Sequence, residues 1–125
     1  MQDQLPIELP PEAADAYAKF LERPLLSREA LAQMVEAHHL RLRAALPLHP
    51  RIDTVLAKDL TEGLKRMLGQ APGPMLIHAQ AAAYYFVESD DADPDLESML
   101  GLDDDALVFN AVCLHLGRPD WQVEL

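Results

Sequence analysis

The chain has 125 residues, half of them hydrophobic, with 21 Asp and Glu against 10 Lys and Arg, a formal net charge of −11. That is enough for one domain with a core and too little for two, and the apolar content argues against wholesale disorder. Charge of this sign repels a nucleic-acid duplex or an anionic lipid surface and attracts cations and basic proteins.

The charge is unevenly spread. Residues 1–70 carry 9 basic and 10 acidic side chains, a net of −1; residues 71–125 carry Arg118 against 11 acids, a net of −10. With a single cysteine, Cys113, no intramolecular disulfide forms. The N-terminus lacks the basic start and apolar run of a signal peptide, and no stretch reaches the ~18 apolar residues of a membrane span. The expectation is a cytoplasmic protein without stable membrane insertion.

Ten prolines divide the chain, and the intervals between them are the candidate helices, because proline suits a first helical turn and not an interior. Residues 1–9 read as an N-terminal arm. A first helix spans about 11–22, with Ala13, Tyr17, Phe20 and Leu21 on one face. Ser27 is placed to cap a second helix reaching about residue 46. Its apolar line is Leu31, Met34, Val35, Leu42, Ala45 and Leu46, with His38 among them. A third helix, about 51–69, presents Ile52, Val55, Leu56, Leu60, Leu64 and Met67, and Gly69 suits its C-terminal end.

The next two segments are apolar almost all round. Pro74 opens a helix in which only His78 and Gln80 are strongly polar between Met75 and Val87; in the last helix only Asn110 and His115 interrupt Ala106–Leu116. Helices of that kind are buried on every side. A short helical turn, Pro94–Leu100, closed by Gly101, is expected between them. The fold class is therefore all-α: a single-domain bundle, 1–125, of about five helices plus a short turn. Two central apolar helices, about 74–88 and 104–116, are flanked by the amphipathic ones.

From Glu88 to Asp105 there are nine acids and no base. Capping accounts for part of the cluster. Asp93 precedes Pro94 as an N-cap precedes N1, and Asp103 is placed to cap the last helix with Asp104 and Asp105 in its first turn. Asp90, Asp91 and Asp95 are left over. If the connection folds back, Asp91, Asp95, Asp104 and Asp105 become candidate ligands for a hard cation such as Ca²⁺ or Mg²⁺. Capping and internal pairing are the preferred reading of the two. An EF-hand is excluded, because Leu96 and Leu102 stand where its Gly and Glu belong.

Tyr85, Asp91, Pro94, Asp95, Gly101, Asp104, Asp105 and Ala106 fall, without a gap, on the pattern of a tyrosine-rich helix end, then Pro-x-Asp-x-Ile-Pro-Asp, a short spacer, Gly, two residues, Asp-Asp and an apolar helix. In this the stretch resembles the YkvA-like family, domain of unknown function 1232, over roughly residues 76–112, in a core of about 76–116. The chain departs from the family at Ser89, Asp93, Ser98 and Asp103, where proline or apolar residues are usual. The resemblance implies a small helical domain and singles out Asp91, Asp95, Asp104 and Asp105; it implies no reaction.

Other chemistry is sparse. His38 and His39 are adjacent and point about 100° apart on a helix, so they do not chelate one ion. His78 and His115 read as hydrogen-bonded core groups, and a contact between them would be unexpected. Cys113 reads as a buried inert thiol. Arg51, Lys58 and Lys65 recur every seven residues, a solvated stripe unless it meets the acidic segment within one chain or between two copies. The function expected is a non-enzymatic accessory or protein-interaction domain whose acidic surface meets a basic partner, with self-association left open. The alternatives are a divalent-cation protein or metal-dependent hydrolase built on the Asp cluster, and an acidic mimic of nucleic acid.

Overall fold

The computed structural model describes residues 9, 11–48, 53–88 and 100–124. Among these, every regular element is helical: α1 Pro11–Leu21, α2 Arg28–Ala45, α3 Thr54–Gln70, α4 Leu76–Glu88 and α5 Leu100–His115, with single 3₁₀ turns at Gly73–Met75 and Pro119–Trp121. The all-α bundle expected from the pattern is the fold.

Local chemistry sets most helix ends. Ser27 Oγ accepts the amide of Ala30 at 3.0 Å, capping α2 as expected. Asp53 does the same for α3, accepting the Leu56 amide at 3.0 Å, so α3 starts at Thr54 rather than near 51. Gly69 does not end that helix. It lies inside α3, and the cap is Ala71 in an extended conformation. The glycine is dispensable because Arg28, from α2, donates to the carbonyls of Leu68 and Ala71, both at 2.8 Å. At the end of α5, Gly117 adopts φ 76°. It lets the Arg118 amide reach Cys113 O at 2.9 Å and its own amide reach Leu114 O at 3.0 Å, a Schellman closure.

The start of α5 departs from expectation. The helix begins at Leu100 and runs through Gly101, so Asp103 sits within it rather than at its N-cap. The reason is packing. Leu102, Ala106, Phe109 and Cys113 are all buried, and their i, i+4, i+7, i+11 spacing is one helical stripe. Burying Leu102 carries the helical register back through the three aspartates. The expected turn at 94–100 falls almost entirely outside the described residues.

Helix α4 is the centre: α1, α2, α3 and α5 all pack on it, and every residue from Ala79 to Phe86 is buried. Helix α5 is not its equal. It packs on α4, α3 and the C-terminal 3₁₀ turn and leaves Leu107 and Leu114 40% and 58% exposed. The two apolar helices pack on each other as expected, with α4 the more completely enclosed of the two. On α3, Leu56, Leu60, Leu64 and Met67 are buried as expected, whereas Val55 is 68% exposed. It stands about 100° from the adjoining Leu56 on the helical wheel, off the buried line.

Two close fits seat these helices. Gly63 of α3 is buried against Phe109 of α5; a Cβ there would come 2.6 Å from the ring, so glycine allows this approach. Gln80 of α4, fully buried, accepts the Leu26 amide at 2.8 Å and donates to Pro24 O at 3.1 Å. It ties the α1–α2 connection to the central helix and satisfies its own amide.

Candidate functional site

Of the four aspartates singled out by the sequence, Asp91 and Asp95 lie outside the described residues. Asp104 and Asp105 are consecutive on α5 and turn to different sides: Asp104 is exposed, Asp105 only 3% exposed. Successive helical residues diverge by about 100°, so the two carboxylates do not share one face. Among the described residues no group of three or more His, Cys, Asp or Glu side chains is placed to hold a metal ion.

The outward side of α5 carries Asp104, Leu107, Ala111 and Leu114, spaced i, i+3, i+7, i+10 and so aligned on one helical face. Asp104, Leu107 and Leu114 are exposed and Ala111 is half-buried. Bordering this face, three residues from Leu107 and four from Leu114, Asn110 is tied to the C-terminal segment. Its side chain donates to Val123 O at 3.0 Å and accepts the Val123 amide at 2.8 Å. That segment also buries Trp121, with Arg118 stacked 4.2 Å above its ring. The Arg118–Asp120 pair, 2.8 Å, holds the Asp120 carboxyl below its ordinary pKa.

At the far end of α4, Glu88 receives both terminal nitrogens of Arg23, one at 2.8 Å. The guanidinium lies over Phe20 and Tyr84, at 4.9 and 4.5 Å from the ring centres. A bidentate, stacked arginine of this kind is geometrically demanding. It fixes the helix end from which the acidic segment departs.

The histidines divide by environment. His38 is buried, edge-on to Phe86 with ring centres 4.8 Å apart, and accepts from Arg41 at 3.2 Å. His39 lines an open groove of about 890 Å³ between α2 and α3, with Glu36, Arg43, Lys58, Asp59, Glu62 and Lys65. The basic stripe on α3 is partly employed there: Lys65 donates to Glu36 on α2 at 3.0 Å. That pair draws the Glu36 carboxyl below its ordinary value. The sharper expectation for this stripe, a meeting with the acidic segment, involves Arg51 and residues 89–99, which lie outside the described residues.

His78 and His115, expected as separate core groups, meet. Their ring centres are 4.8 Å apart and their planes 69° apart, and both side chains are half-buried. Nδ1 of His78 lies 2.7 Å from the hydroxyl of Tyr17, a residue of α1 with no solvent exposure. Burial raises the Tyr17 phenol well above its usual value, so it keeps its proton. Burial, and next the neighbouring His115, lower the His78 pKa. The sequence offered one signal for this meeting: each imidazole interrupts a helix apolar all round. Cys113, fully buried and pushed up to about 12 by burial, is the inert thiol expected.

No protein-family model matches the chain, and comparison with curated proteins and with solved structures likewise returns no match.

Proposed function

We propose that this chain is a non-enzymatic interaction domain that receives a basic, amphipathic protein segment on the outward face of α5. The observation that carries this reading is the alignment of Leu107 and Leu114 with Asp104 on one helical face, two leucines in solvent beside a carboxylate. Scattered exposed leucines need no explanation. This face lies in the half of the chain that carries a net of −10, so a partner presenting Lys or Arg around an apolar stripe is favoured and an acidic one is not. The resemblance to the YkvA-like family fits a small helical domain and adds no chemistry. The hydrolase alternative draws no support from Asp104 and Asp105, which diverge.

The test is affinity capture with the wild-type chain and with Leu107→Ser/Leu114→Ser, identifying retained proteins at low and high salt. The expected outcome is a basic protein held by the wild type, released by salt and not held by the variant, whose melting curve is unchanged. Retention of the same protein by the variant would overturn the reading. Concentration-dependent sedimentation of the wild type alone, lost in the variant, would assign the face to a second copy.

A further inference from the structure

We propose that His78 and His115 form a binding site for a divalent transition-metal ion of the imidazole-preferring class, Zn²⁺, Ni²⁺, Cu²⁺ or Co²⁺, at the junction of α4 and α5. Its nitrogen donors select differently from aspartate oxygens, which would take Ca²⁺ or Mg²⁺.

Distance supports it first. An imidazole nitrogen binds such an ion at about 2.0–2.1 Å, which puts each ring centre ~3.2 Å from the metal. Two rings sharing an ion then have centres ~4.5 Å apart at a right angle and ~5.2 Å apart at the tetrahedral angle. The observed 4.8 Å falls between these. Both side chains are half-buried, so an ion can reach them while the protein still holds the rings.

Electrostatics points the same way. The neutral imidazole is the ligand form, so binding strengthens as pH rises through the ordinary histidine range. His115 is in the last turn of α5, where the negative end of the helix dipole favours positive charge. The chain as a whole, at −11, attracts cations.

Tyr17 is the orienting partner. A metal-binding histidine is normally steadied through its other ring nitrogen, and the Tyr17 hydroxyl is on Nδ1 of His78 at 2.7 Å. Without metal, the protonated phenol donates to Nδ1 and the ring proton sits on Nε2. When an ion takes Nε2, that proton moves to Nδ1, the hydrogen bond reverses and Tyr17 Oη accepts. The exchange is balanced within the ring and releases no net proton. Two protein donors leave the remaining coordination positions to water or to a donor from outside.

Calorimetric titration of the chain, freed of any histidine tag, with Ni²⁺ and Zn²⁺ above the ordinary histidine pKa of 6.5 is the test. The expected result is saturable binding of one ion per chain, with no response to Mg²⁺ or Ca²⁺. His115→Ala should weaken it by about tenfold or more, since outer-sphere losses alone reach that size. His39→Ala, in the groove between α2 and α3, should leave it unchanged. Co²⁺ should give visible bands that disappear in His115→Ala. Because His115 is half-exposed near a helix end, that variant is expected to keep its fold, and its melting curve checks this; His115→Gln serves if it does not. Absence of saturable binding by the wild type at millimolar ion, or unchanged affinity in the folded His115 variant, overturns the proposal.

Discussion

Between Met75 and Val87 the chain has two strongly polar residues, His78 and Gln80; between Ala106 and Leu116 it again has two, Asn110 and His115. The first stretch becomes α4, covered by the four other helices; the second becomes α5, covered by α3, α4 and the C-terminal turn, with two leucines in solvent. All-round apolarity therefore states a demand for neighbours, and the number of neighbours that arrive is a property of the fold. The polar residues are employed alike in both helices. Each has an amide that ties down a nearby segment, Gln80 to residues 24 and 26 and Asn110 to residue 123. Each has an imidazole, and the two imidazoles meet.

The contrast is broken most directly by truncating one side chain on each helix. Phe86→Ala, in the fully enclosed part of α4, should cost about 3–5 kcal/mol in denaturant melts through lost transfer energy and a cavity. Leu114→Ser on α5 should stay within about 0.5 kcal/mol of wild type. Equal losses at the two positions would mean that α5 is covered in solution.

A smaller effect probes how closely α5 sits on α3. Gly63→Ala brings a methyl group to 2.6 Å from the Phe109 ring, which must shift within a packed core. The expected cost is about 1–3 kcal/mol, the range for overpacking. Pairing it with Phe109→Leu should recover part of that cost, a coupling readable in a double-mutant cycle. Additive losses would place the strain elsewhere.

The smallest effect sits where α4 and α5 meet. The folded chain holds the His78 pKa below 6.5, so the unfolded state binds the proton first as pH falls. Stability from this group is fully present above 6.5 and declines as pH drops from there through the depressed folded value. Melting temperatures taken across that window should fall toward acid, and His78→Gln should flatten the part of the slope this residue contributes. An unchanged slope would show that other groups carry the acid sensitivity.

Much of the fold is legible along the chain because the relevant forces are local. The Ser27 cap, the proline boundaries and the stripe of Leu56, Leu60, Leu64 and Met67 follow from spacing and backbone geometry. Where the local pattern misleads, a distant residue takes over a local task. Gly69 suited a helix end, but Arg28, forty residues away, supplies the cap. Asp103 suited an N-cap, but the burial of Leu102 extends the helix past it. The candidate site fared less well. Acidic density drew attention to Asp104 and Asp105, which diverge, while the histidine pair gave only the faint signal of a polar interruption in each of two greasy helices.

By itself, then, the sequence determined the class of fold, the five helices of the described residues and the strong negative charge of the second half. Periodicity, capping and composition act over a few residues and survive without knowledge of the whole. Tertiary structure alone decided which apolar helix is enclosed, which leucines face water, and that His78 and His115 share a corner with Tyr17. Those outcomes depend on how many helices pack around each segment and at what rotation, quantities that no local window contains.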